Sequence, residues 1–282
     1  MPTTILTESS PMTTPSPPFS HSAAPGFMAV ARTLMLRNLI KAHRAPIGMT
    51  FSLLQPIVWL VLFSQTFARL GDTEQFRTLG YTSYLGFFTG SMVAFTMLFS
   101  ALSSGLSMIA DLDTGMLDKL MTSPVNSSAI LLGRVLADGI LMFAQGAIVL
   151  TVAWLMGATI STGPAGALAI LVLATAFGVA WAALSNAIAL FSGSAEVTMS
   201  AGLLCTLPVL FLSSAFFPEQ LLPGWLRTVA HWNPAGQVIE SIRSLMVGPA
   251  SGGVLLRTVL LLAFVGVLTG AAAARGFRQV AK

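Results

Sequence analysis

The stretch Tyr84-Leu-Gly-Phe-Phe-Thr-Gly-Ser-Met-Val-Ala-Phe-Thr-Met-Leu-Phe-Ser-Ala-Leu-Ser-Ser-Gly-Leu-Ser-Met-Ile109 contains no Asp, Glu, Lys, Arg or His. It exceeds the ~20 residues that a helix needs to cross a hydrocarbon core of ~30 Å. Similar apolar runs lie on either side, at Ile47–Phe67, Val135–Met156, Ala165–Phe191, Val197–Phe217 and Val254–Ala274. The only full charges within these runs are Asp138 and Arg257, each within a turn of a segment end. Lipid offers no partner to a free backbone N–H or C=O, so uninterrupted apolar runs of this length are read as helices. The expected fold class is all-α, a polytopic membrane protein with six transmembrane helices.

Composition agrees. The chain of 282 residues is 55% hydrophobic and only 9% charged, with a mean hydropathy of +0.82. A net charge of +4 forms no continuous basic face, so no nucleic-acid partner is expected. The basic residues instead set orientation. With a cytoplasmic N-terminus, the inner side holds Arg32, Arg37, Lys41, Arg44, Lys119, Arg134, Arg275, Arg278 and Lys282, and the outer side the shorter set Arg69, Arg77, Arg227, Arg243 and Arg257. The positive-inside rule then places both termini in the cytoplasm. Cys205 is the single cysteine, so no intrachain disulfide staples the outer loops.

Residues 1–26, rich in Pro, Ser and Thr, have too little apolar content to fold and are read as a disordered cytoplasmic tail. They lack the basic start and apolar core of a signal peptide. In residues 27–44, Met28, Ala31, Met35, Leu39 and Ala42 share one side of a helix, with Arg37, Lys41 and Arg44 on the other. This pattern fits an interfacial helix with its basic face among lipid headgroups. It also fits a positive flank that only sets topology. Pro46 ends the helix.

Two long connections interrupt the apolar runs. In the inner one, residues 110–134, Leu112, Met116, Leu117, Leu120 and Met121 repeat at helical spacing, with Asp113, Asp118 and Lys119 on the remaining surface. Thr122-Ser123-Pro124 ends this helix and Asn126-Ser127-Ser128 can cap the next. Its apolar side must bury against the protein's own inner surface, the lipid interface or a groove on a soluble partner. The outer connection, residues 218–253, is unusually apolar, with Leu221, Leu222, Trp225, Leu226, Val229 and Trp232 in its first half. Pro218, Pro223 and Pro234 punctuate two short helical stretches there, which either dip into the outer leaflet or anchor an interfacial hairpin. Pro56 and Pro208 are expected to bend their spans. The hydroxyls of Thr89, Ser91, Thr96, Ser100, Ser103, Ser104 and Ser107 serve helix packing or line a pathway. Asp138, four residues after Arg134, suggests an i,i+4 ion pair. The pairs Gly86/Gly90 and Gly266/Gly270 allow close helix approach, within the chain or between copies.

Asp113-Thr-Gly115-Met116-Leu117-Asp118-Lys-Leu120-Met121-Thr-Ser-Pro124-Val125, followed by Ile130-Leu-Leu-Gly133-Arg134, resembles the cytoplasmic segment of ABC-2 type permeases. Phe217-Pro218, Pro223-Gly-Trp225, Asn233-Pro234 and Glu240-Ser-Ile-Arg243 resemble the external segment of the same family, most of all its daunorubicin-resistance branch of drug and lipid exporters. The sequence departs from the family pattern at Met116, where Thr is usual. The resemblance covers roughly residues 27–280, within one transmembrane domain at residues 27–282, and implies a type V exporter-like permease fold whose outer segment is re-entrant. It further implies an ATPase on a separate chain, in two copies, and a second permease, identical or related. Leu112, Asp113, Gly115, Met116, Leu117, Asp118, Leu120 and Met121, with Arg37 and Lys41 beside them, would couple to that ATPase. Phe217, Pro218, Pro223, Trp225, Asn233, Pro234, Glu240 and Arg243 would form the external gate.

The residues themselves agree with that division of labour. No Gly-x4-Gly-Lys-Ser/Thr loop surrounds Lys41, Lys119 or Lys282, so the chain has no phosphate cradle for ATP and no cofactor is expected. His21, His43 and His231 are scattered and no hydrolase motif occurs, which disfavours a membrane enzyme. An ion-coupled secondary transporter would need ionisable groups near the midplane, which these runs lack. The expected function is a membrane permease subunit of an ATP-driven exporter, moving a hydrophobic or amphipathic substrate such as a drug, antibiotic or lipid. A polysaccharide or glycolipid permease is the neighbouring alternative. The expected site is a bacterial plasma membrane.

Overall fold

A computed structural model describes residues 26–44, 46–78, 80–81, 83–121, 127–248 and 252–280. The expected tail falls almost wholly outside them, as do Pro124 and the cap expected at Asn126. The described residues form helices and no strands. In chain order these are α1 (Phe27–Arg44), α2 (Pro46–Thr66), α3 (Ala68–Gly71), α4 (Glu74–Thr78), α5 (Tyr84–Asp113), α6 (Met116–Met121), α7 (Ser127–Leu155), α8 (Gly163–Ser192), α9 (Ala195–Phe211), a 3-10 turn at Glu219–Leu221, α10 (Gly224–Trp232), α11 (Pro234–Val247) and α12 (Gly252–Val280).

Four helices, α5, α7, α8 and α12, are long and apolar enough to cross a membrane, while the apolar helices Ser52–Thr66 and Ala195–Phe211 are shorter. The fifth expected span therefore does not run to Phe217. Its helix stops at Phe211, one turn after Pro208, where Leu212 N–H still reaches the Pro208 carbonyl and Ser213 Oγ bonds back to Leu210 O at 2.5 Å. Hydroxyls that satisfy the last carbonyls let the chain leave the helix there.

Burial explains the layering. The middle of α5 is almost wholly enclosed, with Phe87, Phe88, Met92, Val93, Met97 and Leu98 at zero exposure. It is the central post against which α2, α7, α8, α9 and α11 pack. α12 lies on α8 and keeps an outward row of exposed Leu256, Leu260, Phe264, Val267 and Leu268, the surface composition of a helix that meets lipid. Gly90 packs within the chain, a Cβ there standing 3.2 Å from Arg243 Cγ and Ile242 Cγ2, and Gly266 faces Ala180 of α8.

A second apolar cluster closes one end of the bundle. Leu34 of α1, Met108 and Ile109 of α5, Leu117 of α6, Ile130 of α7, Leu190 of α8 and Phe277 of α12 meet there. The first helix and the last turns of α12 thus lie at the same end. α10 and α11 lie at the other, beside the start of α5 and the end of α9.

Candidate functional site

At the α1 end the chain builds a charge cluster around Asp111. Its Oδ1 accepts from Arg37 Nη2 at 3.0 Å and Lys41 Nζ at 2.8 Å, and its Oδ2 from Arg134 Nη1 at 2.9 Å. Arg134 also donates Nη2 to the Ser104 carbonyl at 2.7 Å. Three helices supply these groups: α1 the first two cations, α5 the carboxylate, α7 the third cation. The Asp111 and Arg134 side chains are only 11% and 8% exposed, so the bonds are charge-assisted in a weakly screening environment.

The sequence permits this convergence through two glycines. At Gly133 a Cβ would stand 2.6 Å from the Ala31 carbonyl oxygen and 3.0 Å from Leu34 Cβ, so α1 settles against α7 only because that position has no side chain. Gly115 adopts φ +61°, a conformation that costs an L-residue and suits glycine. It ends α5 and starts α6.

Several expected placements change as a result. Leu112 and Asp113 belong to the last turn of α5, not to the short helix after it, because the chain breaks at Thr114-Gly115. Leu117 is 3% exposed and packs on the chain's own inner cluster, so it does not offer a free apolar face to a partner. Of the three surfaces open to this helix in the sequence, Leu117 takes the protein's own. Met116 is partly exposed; α6 also carries Asp118, Leu120 and Met121, whose side chains lie outside the described set. Arg37 and Lys41 turn inward to Asp111 rather than out to headgroups, and the buried residues of α1 are Ala31 and Leu34. Met28 is 68% exposed.

The expected Arg134–Asp138 pair does not form. A base N-terminal to an acid at i,i+4 is the weaker orientation on a helix, and Asp111 draws the guanidinium across to α5. Asp138 Oδ2 instead accepts from Ser104 Oγ at 2.5 Å, and Asn186 Nδ2 donates to the same hydroxyl at 3.1 Å. These groups edge a cleft of about 340 Å³ between α1, α2, α5 and α7, where Ser100, Ser103, Ser104 and Ser107 form a row of hydroxyls along α5. At its floor Ser100 bonds Gln145, whose amide reaches Ser52 Oγ at 3.3 Å. Thr89 and Thr96 bond back to their own helix, at Leu85 O and Met92 O. Ser103 likewise bonds back to Phe99 O, so the packing role open to these hydroxyls is filled at Thr89, Thr96 and Ser103.

The opposite end is organised by Arg243, 1% exposed. Its Nε donates to Phe87 O at 3.0 Å, and Nη2 to Ser91 Oγ at 2.8 Å and to Ala215 O at 3.1 Å; the guanidinium carbon sits 3.5 Å from the Phe87 ring centre. A buried guanidinium persists only where its donors find acceptors. Here they tie α11 to α5 and to the turn after α9. Glu240 is 4.0 Å away and 42% exposed, one turn earlier on α11. Beside it, burial pushes the Tyr81 hydroxyl up to about 12, with Arg243 opposing the shift. Asn233 caps α11, accepting from Ala235 N–H at 2.9 Å, while its Nδ2 donates to Val209 O at 2.7 Å; Pro234 occupies the first turn.

Glu240 and Arg243 are thus brought together, while Asn233 ties the start of α11 to the end of α9. Phe217 edges onto Phe67 at 6.4 Å, and Pro218 and Pro223 open the 3-10 turn and α10. Trp225 stands apart, 66% exposed. Arg257 lies over the Trp232 ring at 5.4 Å, a cation–π contact at the same level. Sequence reasoning missed Asp111 as the hub. A signal was present, since Arg37 and Lys41, four residues apart on one helix, repel each other unless they share an acid. It also missed the partners of Arg243: Ser91 on α5, and Ser214 and the Ala215 carbonyl, which the turn after α9 brings near.

Known proteins resemble this chain along most of its length. It is 30% identical over 212 residues to "Putative transport permease ycf38" of Porphyra purpurea, covering 74% of this chain and 71% of that one. It is 24% identical over 226 residues to "Daunorubicin resistance ABC transporter permease protein DrrB1" of Streptomyces coeruleorubidus, covering 79% and 77%. It is also 24% identical over 237 residues to "Probable doxorubicin resistance ABC transporter permease protein DrrC" of Mycobacterium tuberculosis, covering 82% of each. The model of the ABC-2 type transporter family matches residues 30–247, a range that takes in both the Asp111 cluster and the Arg243 assembly, and the chain therefore belongs to that family.

Proposed function

We propose that this chain is the permease subunit of an exporter driven by a separate ATP-binding-cassette ATPase, and that it moves a hydrophobic or amphipathic molecule out of the cell. Six crossings, the four long helices and the two shorter apolar ones, together with α1 on the cytoplasmic side, make the transmembrane unit. Two such chains and two ATPase chains make the exporter, and a bacterial plasma membrane is its site. The observation that carries this reading is membership of the ABC-2 family in a chain with no phosphate-binding loop of its own.

Coupling is assigned to the α1 end. An ATPase bound below α6 moves that helix, and Leu117 passes the movement into the apolar cluster it shares with Met108 and Ile109 of α5, Ile130 of α7 and Phe277 of α12. Interlocked side chains transmit such a shift because a close-packed core deforms little. Arg37 and Lys41 hold α1 in the same unit through Asp111. At the far end, the Arg243 assembly holds α11 against α5 and closes the outer side.

The test uses the exposed part of this surface. Asp113 is exposed and Met116 partly so, and the double substitution Asp113→Lys with Met116→Glu alters charge there without entering the core. Co-purification with the ATPase encoded beside the chain is expected to drop at least ~10-fold, the loss of one strong contact at an interface. Undiminished co-purification with normal membrane insertion would remove the coupling assignment.

A further inference from the structure

Charge is shared unevenly between the two acids at the α1 end. Asp111 holds Arg37, Lys41 and Arg134. Among the described residues no cation pairs with Asp138, whose Oδ2 accepts from Ser104 Oγ at 2.5 Å. Arg134 is incompletely served by this division. Its Nη1 and Nη2 donate at 2.9 and 2.7 Å, to Asp111 Oδ2 and the Ser104 carbonyl. Its Nε, in a residue 7% exposed, has no acceptor among the described residues. A buried N–H without a partner raises the free energy of the arrangement that leaves it so, which brings a second arrangement of the same side chain closer.

Asp138 is placed to receive that side chain. It follows Arg134 by one turn of α7, and side chains four apart share a helix face. Ser104 already spans the two, its carbonyl accepting from Arg134 and its hydroxyl donating to Asp138. Both side chains border the cleft of about 340 Å³ between α1, α2, α5 and α7, so the guanidinium has room to swing. A carboxylate accepts at both oxygens, so Ser104 keeps Oδ2 while a guanidinium takes Oδ1. The exchange loses no ion pair: Arg37 and Lys41 stay on Asp111, Arg134 passes to Asp138, and each acid then has a cation. Asp111 is the favoured partner in this structure because a base four residues before an acid is the weaker helical order. A slide of α5 along α7 withdraws Asp111, whereas Asp138 travels with Arg134 on the same helix.

We propose that Arg134 has two seats, Asp111 in this structure and Asp138 when the inner end of α5 slides along α7, and that their exchange is the two-state element of this end of the bundle. Its use in transport rests on the coupling assigned above. The second seat does not, since it belongs to this chain alone and is tested with no ATPase present.

The purified full chain is unfolded in mixed detergent micelles, and the effect of Asp138→Asn on the unfolding constant is compared in three backgrounds. In the wild-type chain an amide oxygen still accepts from Ser104, so the effect should stay below about threefold. With Asp111→Asn, Asp138 is the acid left beside Arg134, and Asp138→Asn should then raise the unfolding constant about tenfold, the loss of a hydrogen bond between charged groups. With Asp111→Asn and Arg134→Gln together, the effect should return to its wild-type size. Attraction of Asp138 to Arg37 and Lys41 at a distance would instead persist without Arg134. Equal effects of Asp138→Asn in all three backgrounds, or an enlarged effect that survives Arg134→Gln, would overturn the second seat. Asp111→Glu, which keeps the charge but moves the carboxylate out of register, is the milder background if Asp111→Asn does not fold. There too the effect should exceed the wild-type one and return to it with Arg134→Gln, and failure of either would overturn the proposal. Undiminished ATPase co-purification in the Asp113→Lys, Met116→Glu chain would bear on the coupling assignment alone and leave the second seat in place.

Discussion

Asp111 and Arg243 show how single side chains hold opposite ends of this bundle. With Asp111→Asn, Arg37, Lys41 and Arg134 lose their common carboxylate, and the buried Arg134 is left partly unpaired. Breaking a buried pair from one side costs roughly 3–5 kcal/mol, and the partly exposed Arg37 and Lys41 add little to that. A clear fall in the detergent-unfolding midpoint is the expected outcome, and Arg134→Gln combined with Asp111→Asn should cost less than the two singles together. Strict additivity in that double-mutant cycle would mean that the 2.9 Å contact carries no coupling. Arg243→Lys makes a comparable test at the other end. Lysine has no planar fork to serve Phe87 O, Ser91 and Ala215 O at once, so the turn after α9 should loosen and trypsin should cut at the exposed Arg227 several-fold faster. Cleavage at the wild-type rate would mean that the fork is dispensable.

Helix ends and helix contacts are set by small residues. Gly133 is the position where α1 meets α7, and Gly133→Val would drive a side chain into the Ala31 carbonyl, 2.6 Å from the new Cβ. Overpacking of this kind costs about 1–3 kcal/mol, and the cheapest relief is for α1 to lift away. Hydrogen exchange across Phe27–Arg44 is therefore expected to rise in Gly133→Val while α8 stays protected. Unchanged protection of α1 would show that the contact is not limiting. The periodicity of residues 112–121 correctly marks a helix with an apolar side but hides the break at Gly115, because Leu112 and Met116 keep helical spacing across it. Position in sequence likewise cannot tell that Leu117 is buried in the inner cluster to which Met108, Ile130 and Phe277 also belong. The three prolines of the outer segment were legible, since each opens a helical turn where its missing N–H costs nothing.

The whole molecule places the α1 end and the last turns of α12 together, as the proposed six crossings require. In a Cys205→Ala background, Ser161→Cys and Glu196→Cys are expected to react with a membrane-impermeant maleimide from opposite sides, Ser161→Cys from outside in intact cells. Labelling of both from one side would remove the crossing by α8 and the six-span arrangement with it. The sequence by itself determined that this is a helical membrane chain, where most of its helices run, which two connections break the pattern, and which family motifs those connections carry. Each of these is written in local composition: lipid burial demands long uncharged runs, and proline and glycine act on their own backbone. Only the tertiary structure decided that Arg37, Lys41 and Arg134 share Asp111, that Asp138 turns to Ser104, that Leu117 is spent on the chain's own core, and that Arg243 is buried among acceptors from α5 and the turn after α9. Those choices follow from which polar atoms the helix packing brings within about 3 Å of one another, and in a low-dielectric interior the nearest well-aligned partner wins over the nearest in sequence.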